Sequence, residues 1–201
     1  MKQKDAEYAT IPLVLASTSP FRRELLERLQ LPFECVAPEV DETQARDETA
    51  PALVVRLSRD KARAGARLRP DSLVIGSDQV AVCDGQILGK PGSEARAIEQ
   101  LSLLSGKEVC FHTGLCVLHA PGDRYHECVV DTRVRVRQLA ADEIERYVGA
   151  DQPLGCAGSF RCESLGIALF EWIRSDDPTA LIGLPLIRLT HYLREEKIQV
   201  P

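Results

Sequence analysis

The sequence of 201 residues has few aromatic side chains, which make up 5% of the chain, and only one Trp. Aliphatic side chains must therefore form most of the core, and a content of 44% hydrophobic residues is sufficient for that at this length. No apolar run is long enough for a membrane span or for the hydrophobic part of a signal peptide. We expect a cytoplasmic location and no membrane partner.

A surplus of basic residues and a pattern of paired cysteines are also missing. The net charge of −5 at pH 7 argues against a nucleic-acid-binding protein, so no nucleic-acid partner is expected. The seven cysteines include no Cys-x-x-Cys pair, which favours reduced, mostly buried thiols over a zinc or disulfide framework. Arg133, Arg135 and Arg137 alternate with valines, and without interleaved aromatics they favour the solvated face of a sheet.

Hydrophobic periodicity predicts a single α/β domain over residues 11–201, preceded by a polar tail of residues 1–10. Strands are predicted at residues 11–16, 33–37, 73–75, 80–82, 86–88, 108–119, 124–139 and 167–173. Helices are predicted from Pro20 to near Gln30, over 50–68, between Ser93 and Gly106, over 140–148, and after Pro185.

The junction between the first strand and the first helix carries small hydroxyl residues and two arginines. Ser19 is a candidate N-cap, and Pro20 suits the first helical position. Arg22 and Arg23 fall in the first turn, where the helix dipole disfavours cations. A bound anion, with phosphate as the working hypothesis, would explain both arginines, because free N–H groups and guanidinium groups would converge on it. The alternative is an ordinary turn with solvated arginines.

Two charged residues lie near the second predicted helix. Lys61 falls within the apolar stripe of that helix, so its side chain either extends to the rim or points into a site. Glu42 belongs to an acidic loop, which is either merely solvated or contributes Asp41 or Glu42 to the binding of a hard divalent cation.

A third group of candidates follows the short strand at residues 73–75. Gly76-Ser77-Asp78 forms its end, where open α/β sheets place catalytic carboxylates, although an Asp at such a place is often a cap or turn residue. A hairpin signal at Asp84-Gly85 then reverses the chain, which would return Lys90 to the neighbourhood of Asp78.

Seven short motifs occur in the order seen in the Maf family of nucleotide pyrophosphatases. They are Ala16–Arg23, Asp41-Glu42, Asp60–Ala62, Gly76–Gln79, Gly89–Pro91, Ala157–Phe160 and Gly183–Pro185. The chain resembles this family from about residue 11 to about residue 195. The resemblance implies an α/β fold with an elongated, twisted, mixed sheet flanked by helices, and two lobes with a central cleft. It also implies hydrolysis of a nucleoside triphosphate to the monophosphate and pyrophosphate by a homodimer that needs a divalent cation, Mg²⁺ or Mn²⁺.

The resemblance also implies roles for individual residues. Asp78 matches the proton acceptor of the family. The other matching cleft residues are Ser17, Arg22, Glu42, Lys61 and Lys90. Arg22, Lys61 and Lys90 would offset the charge of the phosphates, with Ser17 as a further phosphate ligand, while Glu42 and Asp78 would hold the metal ion.

Three further positions bear on the choice of base. Phe21, Gln79 and Glu163 are similar to the aromatic, Gln and Glu residues of the subgroup that acts on 7-methyl-GTP. The subgroup that acts on thymidine and uridine triphosphates carries Arg, Thr and Gln there. Methylation at N7 makes guanine cationic, so an aromatic face attracts it, and a carboxylate can accept both guanine N–H groups. For Phe21 the alternative is simple packing against the core.

Two other functions stay open at this point. One is a pyrophosphatase of the dTTP/UTP type or of broad specificity. The other, from a different class, is a nucleotide-binding regulator of cell division or septum formation, although a pure binder has no need of a base such as Asp78.

Overall fold

In a computed structural model, which describes residues 11–200, the chain forms a seven-stranded sheet with five α-helices. The strands are β1 (Leu13–Ala16), β2 (Phe33–Val36), β3 (Leu73–Cys83), β4 (Gln86–Leu88), β5 (Glu108–His119), β6 (Arg124–Val136) and β7 (Phe170–Ser175). The helices are α1 (Pro20–Glu27), α2 (Ala50–Leu68), α3 (Glu94–Leu104), α4 (Ala141–Asp151) and α5 (Leu186–Glu195). The expected tail of residues 1–10 lies outside the described residues.

The strand order is β2-β1-β3-β5-β6-β7, with β4 paired to β3. β1 runs parallel to β2 and β3, whereas the pairs formed by β4, β5, β6 and β7 are antiparallel. This confirms the expected mixed α/β sheet. None of the helices within residues 11–200 combines the length and the apolar character needed to cross a membrane.

β3 connects the two parts of the sheet and changes its neighbour along its length. On one side it pairs with β5 from Leu73 to Val82. On the other side it pairs with β1 as far as Ile75 and with β4 only from Ala81 onward. Within the described chain, the intervening segment Gly76–Val80 therefore has a strand partner on one side only. We call this segment the β3 gap.

The prediction of two separate strands at 73–75 and 80–82 is wrong, and so is the inference that Asp78 lies at the end of a strand. β3 is continuous, because β5 pairs with it along nearly its whole length. The polar side chains within it also have partners. The Asp78 N–H donates to Ser58 Oγ at 3.1 Å, and Ser77 Oγ lies 2.7 Å from the Gly114 carbonyl oxygen. Gly-Ser-Asp therefore does not end the strand.

Several boundaries also differ from the predictions. Residues Leu165–Leu169 form 3-10 turns, so the predicted strand at 167–173 begins only at Phe170 and continues to Ser175. α1 ends at Glu27, and Gln30 has a positive φ of 55° that no helix can accommodate. The cysteines are all free, as expected, but only Cys83 and Cys116 are buried and Cys35 is exposed, so the prediction of mostly buried thiols is wrong.

Helices cover both faces of the sheet. On one face, α2 packs through residues such as Ala62 against β1, β3 and β5. On the opposite face there are two apolar clusters. α1 and α5 pack over the first half of β3, and α3 and α4 pack near its end. Between these two clusters the same face of the sheet carries three polar side chains. Ser77 and Gln79 belong to the β3 gap, and Thr113 lies opposite Gln79 on β5.

Two glycines allow α2 to approach the sheet closely. A Cβ at Gly76 would lie 2.1 Å from the Ser58 carbonyl oxygen, and one at Gly114 would lie 2.3 Å from the Val54 carbonyl oxygen. Such separations are far below van der Waals contact, so α2 can reach this depth only where both strands lack side chains. This close approach is what brings the polar residues of α2 alongside the β3 gap.

Replacement of Gly76 by alanine is expected to destabilise the fold by about 3 kcal/mol or more, because backbone rather than a flexible side chain blocks the new methyl group. Gly149→Ala in α4 is the matched control, because a Cβ there has open space around it and should stabilise the helix by about 0.5–1 kcal/mol. Free energies of unfolding from urea titrations test this. Similar stabilities for the two variants would contradict it.

Candidate functional site

A cleft of about 680 Å³ lies at the β3 gap. Its walls come from the start of α1, one face of α2, the β4 hairpin, the loop at residues 155–163 and the chain around Gly183. Nine of the candidate residues line this cleft, namely Ser17, Phe21, Arg22, Glu42, Lys61, Asp78, Gln79, Lys90 and Glu163. Asp41, the other candidate for a metal ligand, and Arg23 do not line it. Residues far apart in the sequence are thus brought together.

The junction between β1 and α1 forms one wall. Ser19 is the N-cap of α1, and its hydroxyl oxygen accepts from the Arg22 N–H at 3.4 Å. Ser17 Oγ accepts from the Ser19 N–H at 3.1 Å. The two arginines separate. Arg22 Nε donates to the Gly183 carbonyl oxygen at 2.8 Å, within the cleft, whereas Arg23 pairs with Glu27 on the solvated side.

The Arg22 side chain is partly buried in the wall of the cleft. Burial lowers its pKa below the usual 12.5, and the negative charges of Asp78 and Glu42 oppose that change. It stays protonated at neutral pH, as arginine does in proteins. Within residues 11–200 only Nε of the Arg22 guanidinium group has a hydrogen-bond partner, the Gly183 carbonyl oxygen, so the two terminal nitrogens remain for an anionic ligand. A partly buried guanidinium of this kind is a strong site for phosphate.

Lys61 points into the cleft rather than to the rim. Its ammonium nitrogen lies 2.6 Å from Asp78 Oδ1 and 2.6 Å from Glu42 Oε1, and its side chain is 8% exposed. An ammonium buried to this degree requires such partners, because an unpaired charge in this environment would be costly. Lys61 therefore links α2, β3 and the acidic loop.

Positive charges converge on Glu42. The hydrogen bond from Lys61 lowers the pKa of Glu42, partial burial acts in the opposite direction, and the charges of Lys61, Lys90 and Arg22 lower it further. The pKa of Glu42 is thus held below its usual 4.5. The cleft thus holds a set of three cations and two carboxylates, namely Arg22, Lys61, Lys90, Glu42 and Asp78.

Ser58 is a member of the site that sequence reasoning missed. It accepts the hydrogen bond from the Asp78 N–H at 3.1 Å, and its hydroxyl group donates to the Val54 carbonyl oxygen of the same helix. It fixes the backbone of Asp78 while Lys61, three residues later on the same helical face, fixes the side chain. The sequence did contain a signal for Ser58, because a serine and a lysine three residues apart interrupt the otherwise apolar face of α2.

Gln79 faces the opposite side of β3 from Asp78. Its amide nitrogen donates to Thr113 Oγ1 at 2.9 Å and to the carbonyl oxygens of Ala180 and Leu181 at 2.8 and 3.1 Å. The amide group is therefore fixed in orientation. Its carbonyl oxygen makes no hydrogen bond within residues 11–200, so it is the atom available to a ligand donor.

Phe21 and Glu163 are joined by Arg161, a residue that sequence reasoning did not single out. The Arg161 guanidinium carbon lies 5.2 Å from the centre of the Phe21 ring. Arg161 Nε lies 3.5 Å from Glu163 Oε1. The only signal in the sequence was proximity, since Arg161 precedes Glu163 by two positions in a loop rich in glycine.

A group of side chains that could hold a metal ion lies outside the set around Asp78. Cys110, His112 and Asp131 place their ligand atoms within 4.8 Å of one another, and His112 Nδ1 is 2.7 Å from Asp131 Oδ1. No other group of three or more such ligands occurs within residues 11–200. Its sulfur and nitrogen donors suit transition metals, whereas the carboxylate oxygens of Glu42 and Asp78 suit a hard cation.

The family model for Maf-like proteins matches residues 12–196 of this chain. The chain belongs to the Maf family. Proteins similar to this chain include several that are called 7-methyl-GTP pyrophosphatase. One from Alkalilimnicola ehrlichii is 56% identical over 90% of this chain and 92% of its own length. Another, from Pseudomonas aeruginosa, is 52% identical over 94% and 98%, respectively. A third, from Colwellia psychrerythraea, is 50% identical over 94% of each chain. The resemblance to the Maf family is thereby confirmed.

Replacement of Glu42 by glutamine should change how stability depends on pH. Because the folded state lowers the pKa of Glu42, this carboxylate stabilises the wild type above its usual pKa of 4.5, and the contribution is lost as pH falls through the lowered value. The contribution is below about 1 kcal/mol, since the side chain is 55% exposed.

Urea unfolding of the wild type and of Glu42→Gln between about pH 6 and pH 3 measures this effect. The difference between their free energies of unfolding should be constant above the usual pKa and should shrink below it. A difference that stays constant down to the lowest pH would show that Lys61 does not hold Glu42 ionised.

Proposed function

We propose that this Maf family protein hydrolyses 7-methyl-GTP to 7-methyl-GMP and pyrophosphate. The observation that carries the proposal is one cleft in which three cations and two carboxylates lie together with Phe21, Gln79 and Glu163. The cations suit a triphosphate, the carboxylates suit hydrolysis, and the last three side chains suit a methylated guanine. The names of the relatives point in the same direction.

Phosphate binding is assigned to Ser17, Arg22, Lys61 and Lys90. Arg22 presents its terminal guanidinium nitrogens, and Lys61 is an ammonium held rigidly by two carboxylates. Lys90, on the exposed side of the cleft, forms no ion pair within the described residues and is ready for a ligand. As the bond between the α-phosphorus and the bridging oxygen breaks, negative charge builds up on the leaving pyrophosphate, and these fixed cations stabilise it.

Glu42 and Asp78 are the residues assigned to a divalent cation, Mg²⁺ or Mn²⁺. The donor set fits, because both ligands are carboxylate oxygens and a cationic group, Lys61 Nζ, already lies within 2.6 Å of each. Bound there, the ion would supply further stabilisation of charge on the phosphate oxygens. The remaining steps are performed by side chains of the chain itself.

Asp78 is assigned the role of proton acceptor. Lys61 binds Oδ1, so the second oxygen is available to take the proton of a water molecule as its oxygen attacks the α-phosphorus. The Ser58 bond to the backbone and the Lys61 bond to the side chain hold this carboxylate in one position. Such positioning is where general-base catalysis gains its rate, typically about 10²–10⁴-fold.

Recognition of the base is assigned to Phe21, Gln79 and Glu163. The Phe21 ring attracts a cationic base by about 0.5–2 kcal/mol, and the Glu163 carboxylate accepts from the two guanine N–H groups. The fixed Gln79 amide offers its carbonyl oxygen as an acceptor. A homodimer, a cytoplasmic location and a role in removing modified nucleotides complete the proposal.

Purified protein should release pyrophosphate from 7-methyl-GTP with a kcat/KM about tenfold above that for GTP, which corresponds to about 1.4 kcal/mol from the charge of the base. The values for UTP and dTTP should be lower still. The assay uses Mg²⁺ and, separately, Mn²⁺, and a chelator should abolish turnover. A higher kcat/KM for UTP or dTTP would overturn the assignment of the base, and nucleotide binding without turnover would indicate a regulator.

Asp78→Asn should lower kcat by about 10²–10⁴-fold while nucleotide still binds, because an amide cannot accept the proton of the attacking water. Asp142→Asn, which changes an exposed carboxylate of α4 that pairs with Arg146, is the matched control and should keep full activity. Steady-state kinetics and calorimetric titration with nucleotide measure both effects. Full activity of Asp78→Asn would remove this residue from the mechanism.

A further inference from the structure

Arg161 connects two cleft residues that come from different parts of the chain. Phe21 belongs to the first turn of α1, and Glu163 to the loop after α4, and both line the cleft. Arg161 is not among the described residues that line the cleft, but its guanidinium group contacts both of these side chains. A third contact runs from Arg161 Nη1 to Asp151 Oδ1 at 3.9 Å.

The backbone of Arg161 is held firmly. Its N–H donates to the Tyr147 hydroxyl oxygen at 3.0 Å. A Cβ at Gly166 would lie 2.5 Å from the Arg161 carbonyl oxygen, so the chain packs tightly on that side as well. The fixed backbone sets where the side chain begins, and the contacts with Phe21, Glu163 and Asp151 set where the guanidinium group lies in this structure.

The guanidinium itself is held by charge rather than by directed hydrogen bonds. Within the described residues, Arg161 Nε is a buried atom without a hydrogen-bond partner, and so is Asp151 Oδ2. A buried polar atom without a hydrogen-bond partner costs free energy, so we expect another interaction of the same group to offset that cost. Attraction to the Phe21 ring and to the carboxylates of Glu163 and Asp151 supplies the compensation in this structure.

We propose that Arg161 is a positioning residue for base selectivity, which fixes the Phe21 ring and the Glu163 carboxylate relative to each other. The inference rests on the proposed function, since it concerns the same base site. The positive charge of Arg161 lies near two negative charges, those of Glu163 and Asp151. These three side chains together therefore keep one unbalanced negative charge. A cationic base balances that charge, and a neutral base does not.

Loss of Arg161 has two opposing effects. It removes a positive charge from the base site, which favours a cationic ligand. It also frees Glu163 to turn into solvent and releases one face of Phe21, so stacking and the paired N–H contacts lose their geometry. The first effect is screened by water in an open cleft. The second disrupts contacts that depend on geometry, so it dominates.

Arg161→Met should therefore raise the KM for 7-methyl-GTP about tenfold, equivalent to about 1.4 kcal/mol. The kcat should stay within about twofold of the wild type, and the preference for 7-methyl-GTP over GTP should fall. Arg161→Lys, which keeps the charge, should restore most of the KM. Arg174→Met is the matched control, because Arg174 also stacks on an aromatic ring, that of Trp172 on β7, and should change neither constant.

A double variant tests whether Arg161 acts through Glu163. In the Glu163→Gln background, Arg161→Met should raise the KM for 7-methyl-GTP much less than in the wild type, because the carboxylate that it positions is gone. Additive effects, an unchanged or lowered KM for Arg161→Met, or a drop in kcat alone would overturn the inference. The wild type in the same assay distinguishes the two proposals, since a wild type that does not prefer 7-methyl-GTP contradicts the proposed function itself.

Discussion

Between Ile75, the last β3 residue paired with β1, and Ala81, the first paired with β4, β3 has β5 on one side and no strand from residues 11–200 on the other. This gap in the pairing governs the site, because it opens a cleft in the sheet without breaking the strand that carries Asp78. Beside this gap α2 packs closely on β3 at Gly76, where a side chain would be blocked by the backbone of Ser58. That contact brings Lys61 to within 2.6 Å of Asp78 and supplies the buried carboxylate with its cation.

The long, periodic elements of the fold were predictable, because α2, β5 and β6 bury one face of a regular pattern. β3 was not, because Gly76-Ser77-Asp78 is typical of a turn when only neighbouring residues are considered. What keeps the segment extended is β5, more than thirty residues later in the sequence. Similarly, the segment Leu165–Leu169 is apolar enough to resemble a strand, but it folds into 3-10 turns.

The candidate site was predictable wherever a side chain itself carries the chemistry, as Asp78 and Arg22 do. It was not predictable where a backbone atom or a remote partner is involved. The Gly183 carbonyl oxygen, which accepts from Arg22 Nε, has no signature of its own in the sequence. Arg161 was missed for a related reason, since its contact with Phe21 joins residues 140 positions apart.

Asp78 and Gln79 are neighbours in β3, and their side chains therefore point to opposite faces of the sheet. Asp78 contacts α2, whereas Gln79 contacts the chain around Ala180. A single step along the backbone thus separates the group proposed for the chemistry from a group proposed to recognise the base. Evolution can remodel the second without disturbing the first, so a duplicated gene could acquire a new nucleotide preference through few substitutions while inheriting an intact hydrolytic apparatus.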